Sequence, residues 1–175
     1  MFLKSVFGFV FCILLVVFGL TDKLQKKVDK VIKSTFEIEV FSMDAKLFSK
    51  EITGDLPSKF SDNNFFEIKK EDILLGYAYV SKAPSKTDEF DYLILFDKDL
   101  VIMTSKILAY REDYGGEIGS SRWLKQFKGK TTSDELIYGD NIAAISGATI
   151  SVKSMANAVN NVLKSIKILQ QKKEL

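Results

Sequence analysis

Three strand-like segments in a row, followed by one long helical stripe, restrict the fold more than any other feature of this chain. Ile73–Val80, Phe90–Phe96 and Leu100–Tyr110 are rich in β-branched and aromatic residues, and Asp97-Lys98-Asp99 supplies a turn between the last two. Gly76 inside the first segment reads as a bulge, and Lys82–Glu89, with Pro84, as a loop. Val152, Met155, Val159, Val162, Leu163, Ile166 and Leu169 then recur at helical spacing. They predict a helix from about Ser151 to Gln170 whose stripe packs into a core. Consecutive strands with a helix kept for the end predict an α+β fold, an antiparallel sheet with a C-terminal amphipathic helix. Upstream, Phe36, Ile38 and Val40 alternate with Glu37 and Glu39, which predicts a half-buried strand. Ser42–Asn64, with Gly54 and Pro57, reads as a short helix and loops.

The N-terminus has a different character. Ser5–Thr21 carries no charge and Val6–Leu20 is almost wholly apolar, slightly short of the roughly 20 residues of a membrane span. It exceeds the usual signal-peptide core and ends in Phe18-Gly19-Leu20-Thr21-Asp22, with no small-residue cleavage site. Phe11, ahead of Cys12, is too large for a lipoprotein cleavage box. Residues 1–21 are therefore expected to form an N-terminal membrane-anchor helix or an uncleaved signal. Leu24, Val28, Val31 and Ile32 continue it as a helical stalk over 22–34, leaving 35–175 as the globular domain. Lys23, Lys26, Lys27, Lys30 and Lys33 follow the apolar run, against Lys4 before it. By the positive-inside tendency alone, that lysine-rich side would be cytoplasmic.

Composition removes several chemistries. The chain has no histidine, and so lacks the usual general base and the commonest metal ligand. Cys12 is the only cysteine, which rules out an intrachain disulfide, a Cys-x-x-Cys redox pair and a cysteine-ligated cluster. No catalytic residue and no metal site is expected, and redox chemistry would have to come from an organic cofactor. The net charge of +2 is small and interleaved, with no basic–aromatic patch, so nucleic acid is not an expected partner.

One short motif stands apart. Ser146-Gly147-Ala148-Thr149-Ile150-Ser151 lies at the mouth of the C-terminal helix. Unpaired N–H groups and a partial positive charge at such an end make a seat for phosphate. Gly147 and Ala148 leave room for a ligand against the backbone, and Thr149 offers an oxygen. The same residues also suit a helix cap, with Ser146, Thr149 or Ser151 accepting from the first turn. Six of the ten glycines lie between Gly115 and Gly147, where the backbone turns sharply or meets a ligand. None forms a dinucleotide-binding Gly-x-Gly-x-x-Gly.

Ile145–Ser151 resembles the flavinylation signature of the FMN-binding domain family, which includes flavinylated subunits of the Rnf complex and of the sodium-pumping NADH:quinone reductase. A second stretch is similar to the same family: Tyr110-Arg111-Glu112-Asp113-Tyr114-Gly115, then Trp123 and Gln126-Phe127-Lys128-Gly129. Glu112 and Gly115 fall on matching positions, while Asp113 and Tyr114 replace the usual Thr-Pro. The family pattern has an aspartate three residues before the Ser/Thr, where this chain has Ala143, and the nearest acid is Asp140. The resemblance runs from about Gly76 to Ile166.

It implies FMN held covalently through a phosphoester to Thr149, installed by a flavin transferase. Ser146, Gly147, Ala148, Ile150 and Ser151 would lie along the phosphate. The Gly115–Gly119 turn, with Tyr114 and Trp123, would offer a flat apolar platform, although the Trp123 ring suits core filling equally well. Glu112 would accept a hydrogen bond from the cofactor or hold its own loop, and Arg111 would lean structural or offset phosphate charge. The resemblance places the globular domain on the extracytosolic side of the cytoplasmic membrane, relaying electrons between membrane redox proteins rather than acting as a self-sufficient enzyme. A non-covalent FMN-binding or sensory domain, or a cofactor-free scaffold, are the alternatives.

Overall fold

A computed structural model of the chain describes residues 20–61 and 63–175. The expected anchor lies, up to residue 19, outside the described residues. Among those described, no helix is long and apolar enough to cross a membrane.

Five strands form one antiparallel meander, neighbouring in chain order: β1 (Ser42–Ala45), β2 (Phe65–Lys70), β3 (Ile73–Pro84), β4 (Glu89–Asp97) and β5 (Ile102–Ala109). Helix α1 (Asp22–Phe36) covers one face and α4 (Thr149–Gln171) lies on the other; α2 (Lys50–Thr53) and α3 (Ser121–Leu124) are single turns. The fold is α+β with a C-terminal helix.

The two-residue period of the strands sorts the core. Phe65, Tyr77, Tyr79, Phe90, Tyr92, Ile94 and Phe96 point towards α4, while Phe66, Ile68, Ala78, Val80, Leu93 and Leu95 point towards α1. Covering both faces explains why β4 is apolar almost throughout rather than alternating. Every residue of the helical stripe, Val152 to Leu169, is buried. The segment expected as a stalk is helical and lies on the sheet, with Val28 and Ile32 fully buried.

Three expectations are corrected. Ser42–Asn64 is not only a short helix and loops: Ser42–Ala45 is β1, drawn into the sheet by pairing with Phe66–Lys69. Phe36–Val40 is not a strand: Phe36 ends α1, Glu37 is left-handed at φ 56°, and Ile38 N–H donates to the Lys33 carbonyl at 3.2 Å. Phe36 and Ile38 pack under the sheet as the apolar contact of a helix C-terminus, which copies strand alternation over a few residues. Lys82–Glu89 is not all loop, because β3 runs on until Pro84 pairs with Glu89. Ser85–Asp88 makes the turn, with Ser85 N–H donating to the Asp88 carbonyl at 2.7 Å. Proline is tolerated at that hairpin end, where the ladder stops.

The expected bulge is present. Ile68 faces Gly76 and Lys69 faces Leu74, leaving Leu75 extra on β3. Asp97 closes the turn into β5, its carboxylate accepting from the N–H groups of Asp99 and Val101, both at 2.9 Å. The outer rim of β5 is partly occupied: Ile102 N–H donates to the Lys130 carbonyl at 2.9 Å and Gly129 N–H to the Ile102 carbonyl at 2.7 Å. At the other rim β1 is four residues long.

Candidate functional site

Helix α4 begins at Thr149 behind Ala148, and no side chain caps it. The capping role open to Ser146, Thr149 and Ser151 is therefore filled by none of them. Ser151 is buried and meets the Tyr110 hydroxyl, oxygen to oxygen 3.0 Å. Thr149 and Ile150 are exposed beside it. A 23-residue helix thus presents first-turn N–H groups with no side-chain partner.

That end opens on a cavity of about 410 Å³, lined by Lys86, Tyr110, Glu112, Tyr114 and Gly147–Ser151. The volume lies within the usual range for small-molecule sites. Tyr114 and Ile150 give it exposed apolar surface, at 81% and 49%. Lys86, on the β3–β4 turn, is its only cationic lining residue, and sequence reasoning passed it over because it belongs to no motif.

Two glycines shape the loops around it. Gly115 is left-handed at φ 80°, and a Cβ there would stand 2.6 Å from the Ala148 Cβ. The loop carrying Glu112 and Tyr114 therefore lies directly on the signature backbone, burying Ala148. Gly147 is also left-handed, at φ 77°, but a Cβ there would meet open space. It is needed for its backbone conformation, and the space over it is free for a ligand.

Glu112 holds its surroundings together. Its carboxylate accepts from Thr87 N–H at 2.7 Å, from the Thr87 hydroxyl at 2.9 Å and from Asp88 N–H at 3.3 Å. The Ser85 hydroxyl, then the Thr87 N–H and hydroxyl, hold the carboxyl down to about 2. The latch brings Lys86 to the cavity across more than twenty residues of chain. Because the folded value is depressed, this contribution is complete above the ordinary carboxyl value of 4.5 and is lost as pH falls through about 2. The Thr87 amide resonance is expected to hold its position from neutrality to pH about 4 and to move only near 2. A midpoint at the ordinary carboxyl value would show that the latch does not form.

Trp123 is elsewhere. It is 5% exposed, packs edge-on against Phe127 with centroids 5.2 Å apart, and donates from Nε1 to the Ala143 carbonyl at 2.8 Å. Gln126 completes the clamp: its Oε1 accepts from Ala143 N–H and its Nε2 donates to the Trp123 carbonyl, both at 2.8 Å. Trp123 thus fixes the lead-in to the signature and is no open platform. It lines a neighbouring cavity of about 440 Å³ with Ser146, Ala143 and Arg122. Arg111 also turns away from Thr149, pairing with Asp91 at 2.5 Å and donating to the Glu89 carbonyl at 2.7 Å. The structure therefore gathers Gly147–Ser151, Glu112, Tyr114 and Gly115 at one place, leaving Ser146 and Trp123 on the far side of the loop.

No match to the chain is found among curated proteins. Residues 86–164 match the family model of the FMN-binding domain. That range begins at Lys86 and includes every residue lining the cavity at Thr149. The segment 86–164 is thus similar to the FMN-binding domain family, whose ligand is FMN.

Proposed function

We propose that the chain is a membrane-anchored, extracytosolic electron-transfer protein carrying FMN in phosphoester linkage to Thr149. The observation that carries this is the Thr149 hydroxyl at an uncapped helix start, opening on the cavity. The residues fit the group. The first-turn N–H groups of α4 and the Lys86 ammonium would face the phosphate charge. Tyr114 and Ile150 would offer apolar surface to the ring, and Tyr110 braces the helix through Ser151. Bound FMN supplies electron transfer that none of these side chains performs. A covalent tether removes loss by dilution outside the cell. A flavin transferase would mature the protein, and redox proteins at the membrane would be its electron donor and acceptor.

Non-covalent FMN binding is the second reading. It is favoured by Ala143, which has no carboxylate where the family signature has one. Intact mass after co-expression with a flavin transferase separates the two. The wild type is expected to gain one FMN less one water, and Thr149→Ala is expected to gain nothing. Unmodified mass in yellow wild-type protein would establish the second reading. Colourless protein of unaltered mass would leave only a scaffold.

A further inference from the structure

Helix α1 carries a feature that flavin binding does not use. At about 100° per residue, Lys23, Lys26, Lys27, Lys30 and Lys33 fall within an arc of about 120°, opposite Val28 and Ile32. Those two residues are fully buried against the sheet, so the lysines face outward. Lys27 donates to the Leu108 carbonyl, and Lys33 pairs with Glu39 at 3.3 Å. Lys23, Lys26 and Lys30 have no acidic partner among the described residues. At the N-terminal end of α1 the positive surface continues into a cavity of about 840 Å³, where Lys23, Lys59 and Lys82 are among the lining residues. Its acids are Asp91, paired with Arg111, and Glu89, 3.9 Å from Lys82.

Two further facts select the occupant. The chain entering α1 is the uncharged run Ser5–Thr21, so the lysine face begins where an apolar segment ends. In addition, Arg111 lines this cavity while Tyr110 and Glu112, its neighbours in sequence, line the one at Thr149. Both cavities therefore sit at the same end of the sheet.

We propose that the lysine face of α1 and the cavity at its N-terminal end rest on anionic phospholipid headgroups, holding the Thr149 end of the domain at the bilayer surface. Each lysine brought to such a surface contributes about fivefold to the docked population at low salt. The proposal takes from the anchored reading only the presence of a bilayer beside α1.

The test uses the full chain in nanodiscs of phosphatidylcholine alone or with phosphatidylglycerol, footprinted with an amine-reactive reagent. Lys164 and Lys167, exposed on α4, serve as internal references. Labelling of Lys23, Lys26 and Lys30 is expected to fall at least threefold in the anionic discs and to recover at about 0.5 M salt, where screening shortens to a few ångströms. The references are expected to stay constant. K23Q/K26Q/K30Q is expected to leave the fold intact and to restore labelling of Lys59 in the anionic discs. Association with both discs but equal labelling would overturn the docked face while leaving the anchor standing. No association with either disc would overturn both. Protection that appears only on adding another protein would assign the face to that protein and overturn the proposal.

Discussion

Gly76→Ala is expected to cost about 3 kcal/mol or more, enough to lower the denaturation midpoint sharply or prevent folding. A Cβ at this position would lie 2.1 Å from the Phe96 carbonyl oxygen, 3.1 Å from Asp97 Cα and 3.0 Å from the end of the Phe36 ring. The ring could turn aside; the strand cannot, because β4 is hydrogen-bonded on both sides and buried on both faces. Relief would require β3 and β4 to separate at the Gly76–Asp97 pair, where their ladder begins. Urea denaturation followed by far-UV circular dichroism measures the effect. A change below about 1 kcal/mol would show that the strands accommodate the methyl group.

The second large effect belongs to Gly115→Ala. It combines left-handed strain, about 1–2 kcal/mol for a residue with a Cβ, with a contact of 2.6 Å against the Ala148 Cβ. Overpacking of that kind adds roughly 1–3 kcal/mol. The contact lies between the loop of Glu112 and the signature backbone, so the strain is expected to part them and to reduce flavin incorporation as well as stability. Gly147→Ala is the control. It carries the same backbone strain into open space, and should cost only that strain, about 1–2 kcal/mol. Equal losses in the two variants would show that Gly115 matters for its conformation alone and not for its packing on Ala148.

The sequence was most readable where one requirement dominated. The stripe from Val152 to Leu169 is core because a long helix must bury its apolar side, and Asp97-Lys98-Asp99 turns because a carboxylate there captures two amides. The reading failed where two structures share one pattern. Phe36 and Ile38 alternate with glutamates as in a strand, yet they are the apolar contact at the end of α1. Trp123 matched a family stretch, but no local pattern reveals that its indole N–H would be committed to the Ala143 carbonyl. Lys86 has no signature at all, and reaches the cavity because Glu112 binds the turn that bears it. Of the site, the helix start, Thr149 and Gly115 were legible, and holding its loop was one of the two readings open to Glu112; the groups that Glu112 and Trp123 fasten, Thr87 and the Ala143 carbonyl, were not.

The two rims of the sheet bear on how the protein behaves at high concentration. Unpaired strand edges invite foreign strands, and flat, long, apolar ones most of all. Here β5 has its first residue bonded to the Gly129–Lys130 segment, and β1 offers four residues that include Asp44 beside Lys69. A sheet whose middle strands are among its most apolar segments thus ends in a short, charged margin on one side and a partly satisfied one on the other. That arrangement disfavours edge-to-edge polymerisation even when many copies crowd together.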